Sequence, residues 1–265
     1  MNGDERFALV TGASGGIGLE IARELARRGH PLVLAARSEG KLAALAAELG
    51  RAHRVRAETV PVDLATPDGP ARLVAAMEGK RISPEILVNN AGVGMHGPFA
   101  EADAAALAAM LQLDVTSLAL LTRSLLPGMR ARGRGRILNL ASTAAFVPGP
   151  FMAGYFASKA FVLSLSVALA DELRGTGVTV TALCPGATES EFASRAGNAG
   201  SRLFRRGVVM DARSVARAGV EGMLAGKRIV VPGLANRLIA GSSGLAPRAV
   251  TARIARFLNE PARPS

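Results

Sequence analysis

At 265 residues, 49% of them hydrophobic, the chain is too apolar for intrinsic disorder and long enough for one large α/β domain with a full core. Its formal net charge of +11 points to an anionic partner, yet only 4% of residues are aromatic. With no aromatics interleaved among the arginines there is no stacking platform for nucleic acid, so the charge reads as attraction for a polyanionic cofactor.

The N-terminal stretch Met1–Phe7 is polar and lacks an apolar signal region, and no run of about eighteen apolar residues occurs anywhere, so a cytoplasmic protein is expected. From there short β-rich runs alternate with longer helical patterns. Phe7–Val10 precedes a helical Ile17–Arg28, Leu32–Ala36 precedes Glu39–Leu49, and Thr59–Val62 precedes Pro70–Glu78. Ile86–Asn89 leads to Ala102–Leu111 and Val115–Arg132, Ile137–Leu140 to Met152–Arg174, and Thr179–Leu183 to Ser214–Leu224, with Ile229–Val231 last. The runs are continuously apolar, as strands covered on both faces must be, so the pattern predicts a single doubly wound α/β domain around a parallel sheet.

Two segments fit this scheme less well. Residues 189–210 are rich in Ser, Gly, Arg and Phe and read as a flap over a site. The C-terminal extension, 234–265, carries apolar residues amid Arg237, Arg248, Arg253 and Arg256. It is expected to pack against its own domain, with a membrane or a partner subunit as the alternative surface.

The first strand runs into Thr11-Gly12-Ala13-Ser14-Gly15-Gly16-Ile17-Gly18 and then a helix. Glycines there allow a tight turn that aims backbone N–H groups at a pyrophosphate, and the helix N-terminus adds about half a positive charge. In that position a dinucleotide cradle is the reading. The second strand ends Ala35-Ala36-Arg37-Ser38, with no carboxylate to hold the 2′-hydroxyl of NAD. Arg37 can instead pair with a 2′-phosphate, so NADP(H) is the expected cofactor. Asp63-Leu64, after the third strand, is expected to meet the adenine, unless Asp63 is the N-cap of the next helix.

Tyr155 and Lys159 stand four apart on one helix face. An ammonium beside a phenol favours the phenolate, as does the positive ring of an oxidised nicotinamide, and lowering a phenol pKa by about 3 units takes about 4 kcal/mol. A phenol tuned that way exchanges protons with an alcohol or carbonyl. Ser142, just past the fifth strand, is placed to hydrogen-bond the substrate oxygen. Tyr155 is the only tyrosine in the chain. Cys184, the only cysteine, ends an apolar strand and reads as a buried, inert thiol.

The glycine cradle, Asn89-Asn90-Ala91-Gly92, Ser142, Tyr155-Phe156-Ala157-Ser158-Lys159 and Pro185-Gly186 occur in the order that defines the short-chain dehydrogenase/reductase family, which the chain resembles over residues 6–235. The resemblance implies a seven-stranded sheet in the order 3-2-1-4-5-6-7 and hydride transfer between NADP(H) and a carbonyl or alcohol. It implies that Asn90 steadies the sheet centre and brings Ala91 and Gly92 toward the cofactor ribose, which Lys159 binds. It also places Pro185 and Gly186 at the nicotinamide, Thr188 at its carboxamide and Ser190 at the pyrophosphate. The stretch Arg37–Leu42 resembles a bacterial branch of the family.

One position departs from the family pattern. Where relatives commonly carry an Asn that anchors a proton relay to the lysine, this chain has Asp114, in Leu113-Asp114-Val115-Thr116. A relay through the backbone carbonyl tolerates Asp, whereas one through the side chain loses an amide donor and over-stabilises the Lys159 charge. The substrate is expected to be an apolar carbonyl lined by Val93–Phe99, Ala144–Met152 and 189–210, with His96 an exposed loop residue. Homodimers or homotetramers through Val115–Arg132 and Met152–Arg174 are implied, and no metal site is read. The alternatives are a non-catalytic NADP(H)-binding sensor or scaffold and a membrane-associated reductase of a lipid-like substrate. The intact Ser142, Tyr155 and Lys159 argue against the first.

Overall fold

A computed structural model describes residues 6–198, 200–202, 209–242 and 246–260. Among them seven strands make one parallel sheet: β1 (Ala8–Thr11), β2 (Leu32–Ala36), β3 (Ala57–Pro61), β4 (Ile86–Asn89), β5 (Gly135–Leu140), β6 (Val178–Leu183) and β7 (Ile229–Val230). They lie in the order β3-β2-β1-β4-β5-β6-β7, as the family resemblance implied. The helices between them are α1 (Gly16–Arg27), α2 (Glu39–His53), α3 (Gly69–Gly79), α4 (Ala104–Leu111), α5 (Leu118–Ala131) and α6 (Ala153–Glu172). After β6 come the short α7 (Phe192–Arg195), then α8 (Ala212–Leu224), α9 (Leu234–Ser242) and α10 (Arg248–Asn259).

Strand alternation divides the core between the two faces. Val10, Leu34, Val88 and Leu138 pack with Ile21, Leu25, Leu42, Val215 and Met223 of α1, α2 and α8. Their neighbours Leu9, Val33, Leu87 and Ile137 pack on the other face with Leu73, Met77, Leu121 and Met129 of α3 and α5. Two covered faces require both parities to be apolar, which is why the strands read as unbroken runs. Each fully buried leucine contributes about 2 kcal/mol.

The sequence pattern treated Ala102–Leu111 and Val115–Arg132 as separate helices. The structure joins α4 to α5 through a π-helical stretch, Gln112–Ser117, which carries the buried Asp114. One wide turn shifts the helical register without ending the helix, so apolar periodicity reads as a break. By length and composition alone Ala104–Ala131 and Ala153–Glu172 resemble membrane-crossing helices. In the structure α5 and α6 lie against the sheet, with Leu120 and Phe161 on their outer sides.

The expectation that the C-terminal extension packs on its own domain holds only in part. α10 buries Ala255 and Asn259, but α9 buries none of its residues. Residues 261–265 and part of the 189–210 flap, residues 199 and 203–208, lie outside the described set.

Candidate active site

Chain order reverses between β1 and β4, and the crevice at the carboxyl ends of these strands is where doubly wound sheets bind ligands. The cradle is built there. Gly12 and Gly16 have φ of 66° and 55°, left-handed values that glycine adopts without strain. Asn90 holds the turn from below, its Nδ2 donating to the Thr11 carbonyl at 2.9 Å and to that of Gly12 at 3.2 Å. Thr11 Oγ1 accepts from the N–H groups of Asn90 and Ala91, both at 3.0 Å, and donates to the Val88 carbonyl. A Cβ on Gly18 would collide with Asn90 Nδ2 and the Gly12 carbonyl, so helix and strand meet as closely as they do only because residue 18 is glycine.

No side chain caps the start of α1, and the space beside Gly15 is open. The orphan N–H groups of the first turn are therefore free for an anion. Arg37 and Ser38 are exposed at the end of β2, and Ser38 makes no side-chain cap to α2. Among the described residues no carboxylate pairs with Arg37. An open helix terminus, glycines where a Cβ would intrude and a free guanidinium fit a phosphorylated dinucleotide.

Asp63 is not the N-cap of the next helix, since α3 begins after Asp68. Its Oδ1 instead closes a local turn by accepting from the Ala65 N–H at 2.9 Å, a bond to its own loop that forms before the helix starts. Leu64 is buried beside it, its carbonyl taking a bond from Ser117 Oγ.

Across the crevice, Ser142 is held extended at the end of β5 and accepts from the Ala144 N–H at 3.1 Å. The start of α6 brings Tyr155 beside it and Lys159 one turn further, with Nζ 5.6 Å from the Tyr155 ring centre. Lys159 is buried, donating to the Leu140 carbonyl at 3.2 Å and lying 3.3 Å from Asp114 Oδ2. Asp114 also accepts from the Val93 N–H at 2.9 Å and from Ser158 Oγ at 3.2 Å. Gly92 packs against this pair, leaving 3.2 Å between its missing Cβ and both Asp114 Oδ1 and Lys159 Nζ.

The electrostatics correct the expectation of an acidified phenol. Tyr155 lies above its ordinary pKa: removal from water raises it most, Lys159 pulls it down, Asp114 pushes it up, and a hydrogen bond with Ser142 lowers it. Burial also pushes the Asp114 carboxyl up, against the pull of Lys159, the Val93 N–H and Ser158. Burial alone would lower Lys159, but Asp114 and then Tyr155 hold it above its usual value. Asp114 thus offsets part of the pull that Lys159 exerts on the phenol, and burial outweighs what remains. The Asp114 side chain therefore meets Lys159 directly.

Pro185 and Gly186 follow β6 beside the Ser142 turn, the Pro185 carbonyl accepting from the Thr143 N–H at 2.9 Å. Thr188 is buried with Oγ1 on the Gly186 carbonyl at 3.0 Å. Ser190 Cβ lies 3.1 Å from where a Cβ on Gly16 would be, so the base of the flap touches the cradle. Cys184 is buried, and burial pushes its thiol up to about 12, which keeps it unreactive.

Sequence reading missed Phe192. Its ring centre is 5.2 Å from that of Tyr155, and a Cβ on Gly94 would meet it at 2.7 Å. Nothing in a segment of mixed polarity marks one phenylalanine as the residue over the phenol. Ser158 was read only as part of a motif, and its grip on Asp114 was likewise invisible. His96 is not free in its loop: Nε2 lies 2.8 Å from the Asn259 carbonyl, and its ring stands near Phe151. Phe151 itself has φ of 66°, a strained value for a non-glycine residue, at the wall of the substrate region.

Comparison with known proteins agrees with this architecture. A family model described as short chain dehydrogenase matches residues 6–199. The very-long-chain 3-oxoacyl-CoA reductase of Bos taurus is 35% identical over 183 residues, 68% of this chain, which spans only 58% of that reductase. A granaticin polyketide synthase putative ketoacyl reductase of Streptomyces violaceoruber is 41% identical over 190 residues, 71% of this chain and 70% of its own. A short-chain dehydrogenase from Sphingobium yanoikuyae, solved in complex with NADPH, superposes with a TM-score of 0.80 at 35% identity, over 91% of this chain and 94% of its own. The chain belongs to the short-chain dehydrogenase family.

Proposed function

We propose that this chain is a cytoplasmic NADPH-dependent reductase of an apolar ketone, with Tyr155 as the proton donor. The observation that carries the reading is the meeting of Tyr155, Ser142 and Lys159 at the carboxyl end of β5, with the phenol held in its protonated form. Bound NADPH supplies the hydride. Ser142 and the Tyr155 hydroxyl hold the substrate oxygen, and Tyr155 gives its proton to that oxygen as negative charge develops there. Lys159, fixed by Leu140 and Asp114, orients the phenol and reaches toward the ribose. A phenol above its usual pKa is fully protonated at neutral pH, the form that reduction requires.

The cradle binds the pyrophosphate through the α1 terminus, with Gly12, Ser14, Gly15, Gly16, Ile17, Gly18 and Ser190 around it. Asn90, Ala91 and Gly92 reach the nicotinamide ribose, Asp63 and Leu64 the adenine, and Pro185, Gly186 and Thr188 the nicotinamide. Arg37 and Ser38 take the 2′-phosphate. Arg37→Ala is expected to weaken NADPH about 10- to 100-fold while changing NADH affinity little, because a charge-assisted bond is worth about 1.5–3 kcal/mol. Fluorescence titration with both cofactors checks this; equal loss for the two would assign Arg37 no part in choosing between them.

Phe192 lies against the Tyr155 ring at 5.2 Å, and the apolar Phe146, Phe151 and Met152 stand just before α6, in keeping with relatives named as 3-oxoacyl-CoA and ketoacyl reductases. In the first part of the 189–210 segment Phe192 lies over Tyr155, and a Lys41–Glu191 contact of 3.7 Å ties that part to α2. Phe192→Ala is expected to lower KM severalfold for ketones with two large substituents and to raise it for small ones, measured as NADPH oxidation across a graded panel. An unchanged profile would remove Phe192 from the substrate site. Homodimers or homotetramers form in this reading through α5 and α6, whose exposed Leu120 and Phe161 would otherwise face water.

A further inference from the structure

The C-terminal helices carry a pattern that the reaction does not use. From Gly222 to Asn259 the sequence has no acidic residue and six cationic ones, Lys227, Arg228, Arg237, Arg248, Arg253 and Arg256. The next acid, Glu260, is already taken by Arg202 and Arg256.

On this basic stretch the apolar side chains point outward. In α9, Leu234, Leu238 and Ile239 are 73, 67 and 55% exposed. In α10 the buried side is Ala255 and Asn259. At about 100° per residue, Val250, Ile254 and Phe257 fall on the opposite side, and all three are exposed. A surface helix of a globular protein turns its apolar stripe to the core and its charge to water. Here the stripe faces away from the body, with Arg237 and Arg253 beside it and Arg248 exposed at the start of α10, which is the pattern of helices lying in a lipid interface.

These helices also frame the substrate walls. α9 lies against the turn Thr143–Phe146. At the end of α10, Asn259 Nδ2 donates to the Pro150 carbonyl at 2.9 Å, and its own carbonyl meets His96 at 2.8 Å.

We propose that α9 and α10 together bind the surface of an anionic bilayer, inserting Leu234, Leu238, Val250 and Ile254 among the acyl chains while Arg237, Arg248 and Arg253 engage the lipid phosphates. The substrate mouth then opens at the interface, where an apolar ketone partitions. The binding itself does not depend on the reaction proposed above.

Co-sedimentation tests it with vesicles of phosphatidylcholine alone and of equimolar phosphatidylcholine and phosphatidylglycerol. The full chain is expected to pellet with the anionic vesicles, less with the neutral ones, and to be released by high salt. The Arg237→Gln, Arg248→Gln, Arg253→Gln protein is expected to bind anionic vesicles on the order of a hundredfold more weakly, at about fivefold per arginine. Leu238→Asp with Ile254→Asp is expected to stay in the supernatant with both. NADPH binding and the thermal melt of each variant, which these exposed substitutions leave intact, show that the fold survives. Wild-type protein that ignores both vesicles overturns the proposal. So does an aspartate variant whose only change in analytical ultracentrifugation is a smaller assembly, because the patch then joins two copies of the chain.

Discussion

Tyr155→Phe is expected to slow reduction of any ketone the wild type accepts by about 100- to 10,000-fold, the range that a positioned proton donor supplies. NADPH affinity should change little, because the cradle, Arg37 and Lys159 are untouched. The chain has one tyrosine, so no neighbouring phenol can substitute for it. Ser142 remains to hold the substrate oxygen but is a far weaker acid, and Cys184 is buried with its thiol pushed up to about 12. The measurement is steady-state NADPH oxidation by wild type and variant, with cofactor binding followed in parallel. A variant that binds NADPH and reduces the same ketone at the wild-type rate would leave Tyr155 no role in proton transfer.

Asp114→Asn is expected to move the pH profile toward acid by between one and two units. The carboxyl lies 3.3 Å from Lys159 Nζ, and its charge offsets part of the pull that the ammonium exerts on the phenol. Asn keeps the acceptor for the Val93 N–H but leaves Lys159 with an uncompensated charge. At an effective dielectric of about 20 and a separation of about 8 Å, one charge is worth about 2 kcal/mol at the phenol. The sign follows from the role. Reduction uses the protonated phenol, so activity is present below the Tyr155 pKa and lost as pH rises through it. Lowering that pKa brings the loss to lower pH. Oxidation of the product alcohol uses the phenolate, so its rise also moves to lower pH and its rate near neutrality increases. An intact KM for NADPH with a shifted profile separates this positioning role from damage to the fold, whereas superimposable profiles would show that Asp114 and Asn are equivalent here.

Much of this site was legible from spacing alone. Seven continuously apolar runs gave the parallel sheet, and every predicted strand has its counterpart to within two residues at either end. Gly12, Gly16 and Gly18 could be read because glycine is written where a backbone must turn left-handed or come close, and Asn90 does meet that turn. Tyr155 and Lys159 could be read because four residues of helix fix their relation. The state of the phenol could not. It depends on Asp114, brought 45 residues along the chain to Lys159 by a π-helical turn, and on how far water is excluded. A residue-by-residue reading named both the cation beside the phenol and Asp114 as its neighbour, but not how far burial would outweigh them. Phe192 escaped for a related reason, since a flap has no period from which to infer what its side chain covers.

The state of Tyr155 can be observed directly. With one tyrosine and no tryptophan in the chain, phenolate absorbance in the ultraviolet reports this residue alone. Titrating the cofactor-free protein should show the phenolate appearing above the ordinary tyrosine range, near pH 10, in the wild type and at clearly lower pH in Asp114→Asn. A wild-type phenolate already present at neutral pH would contradict the reading of Tyr155 as a phenol kept protonated by burial beside a Lys159 whose charge Asp114 offsets.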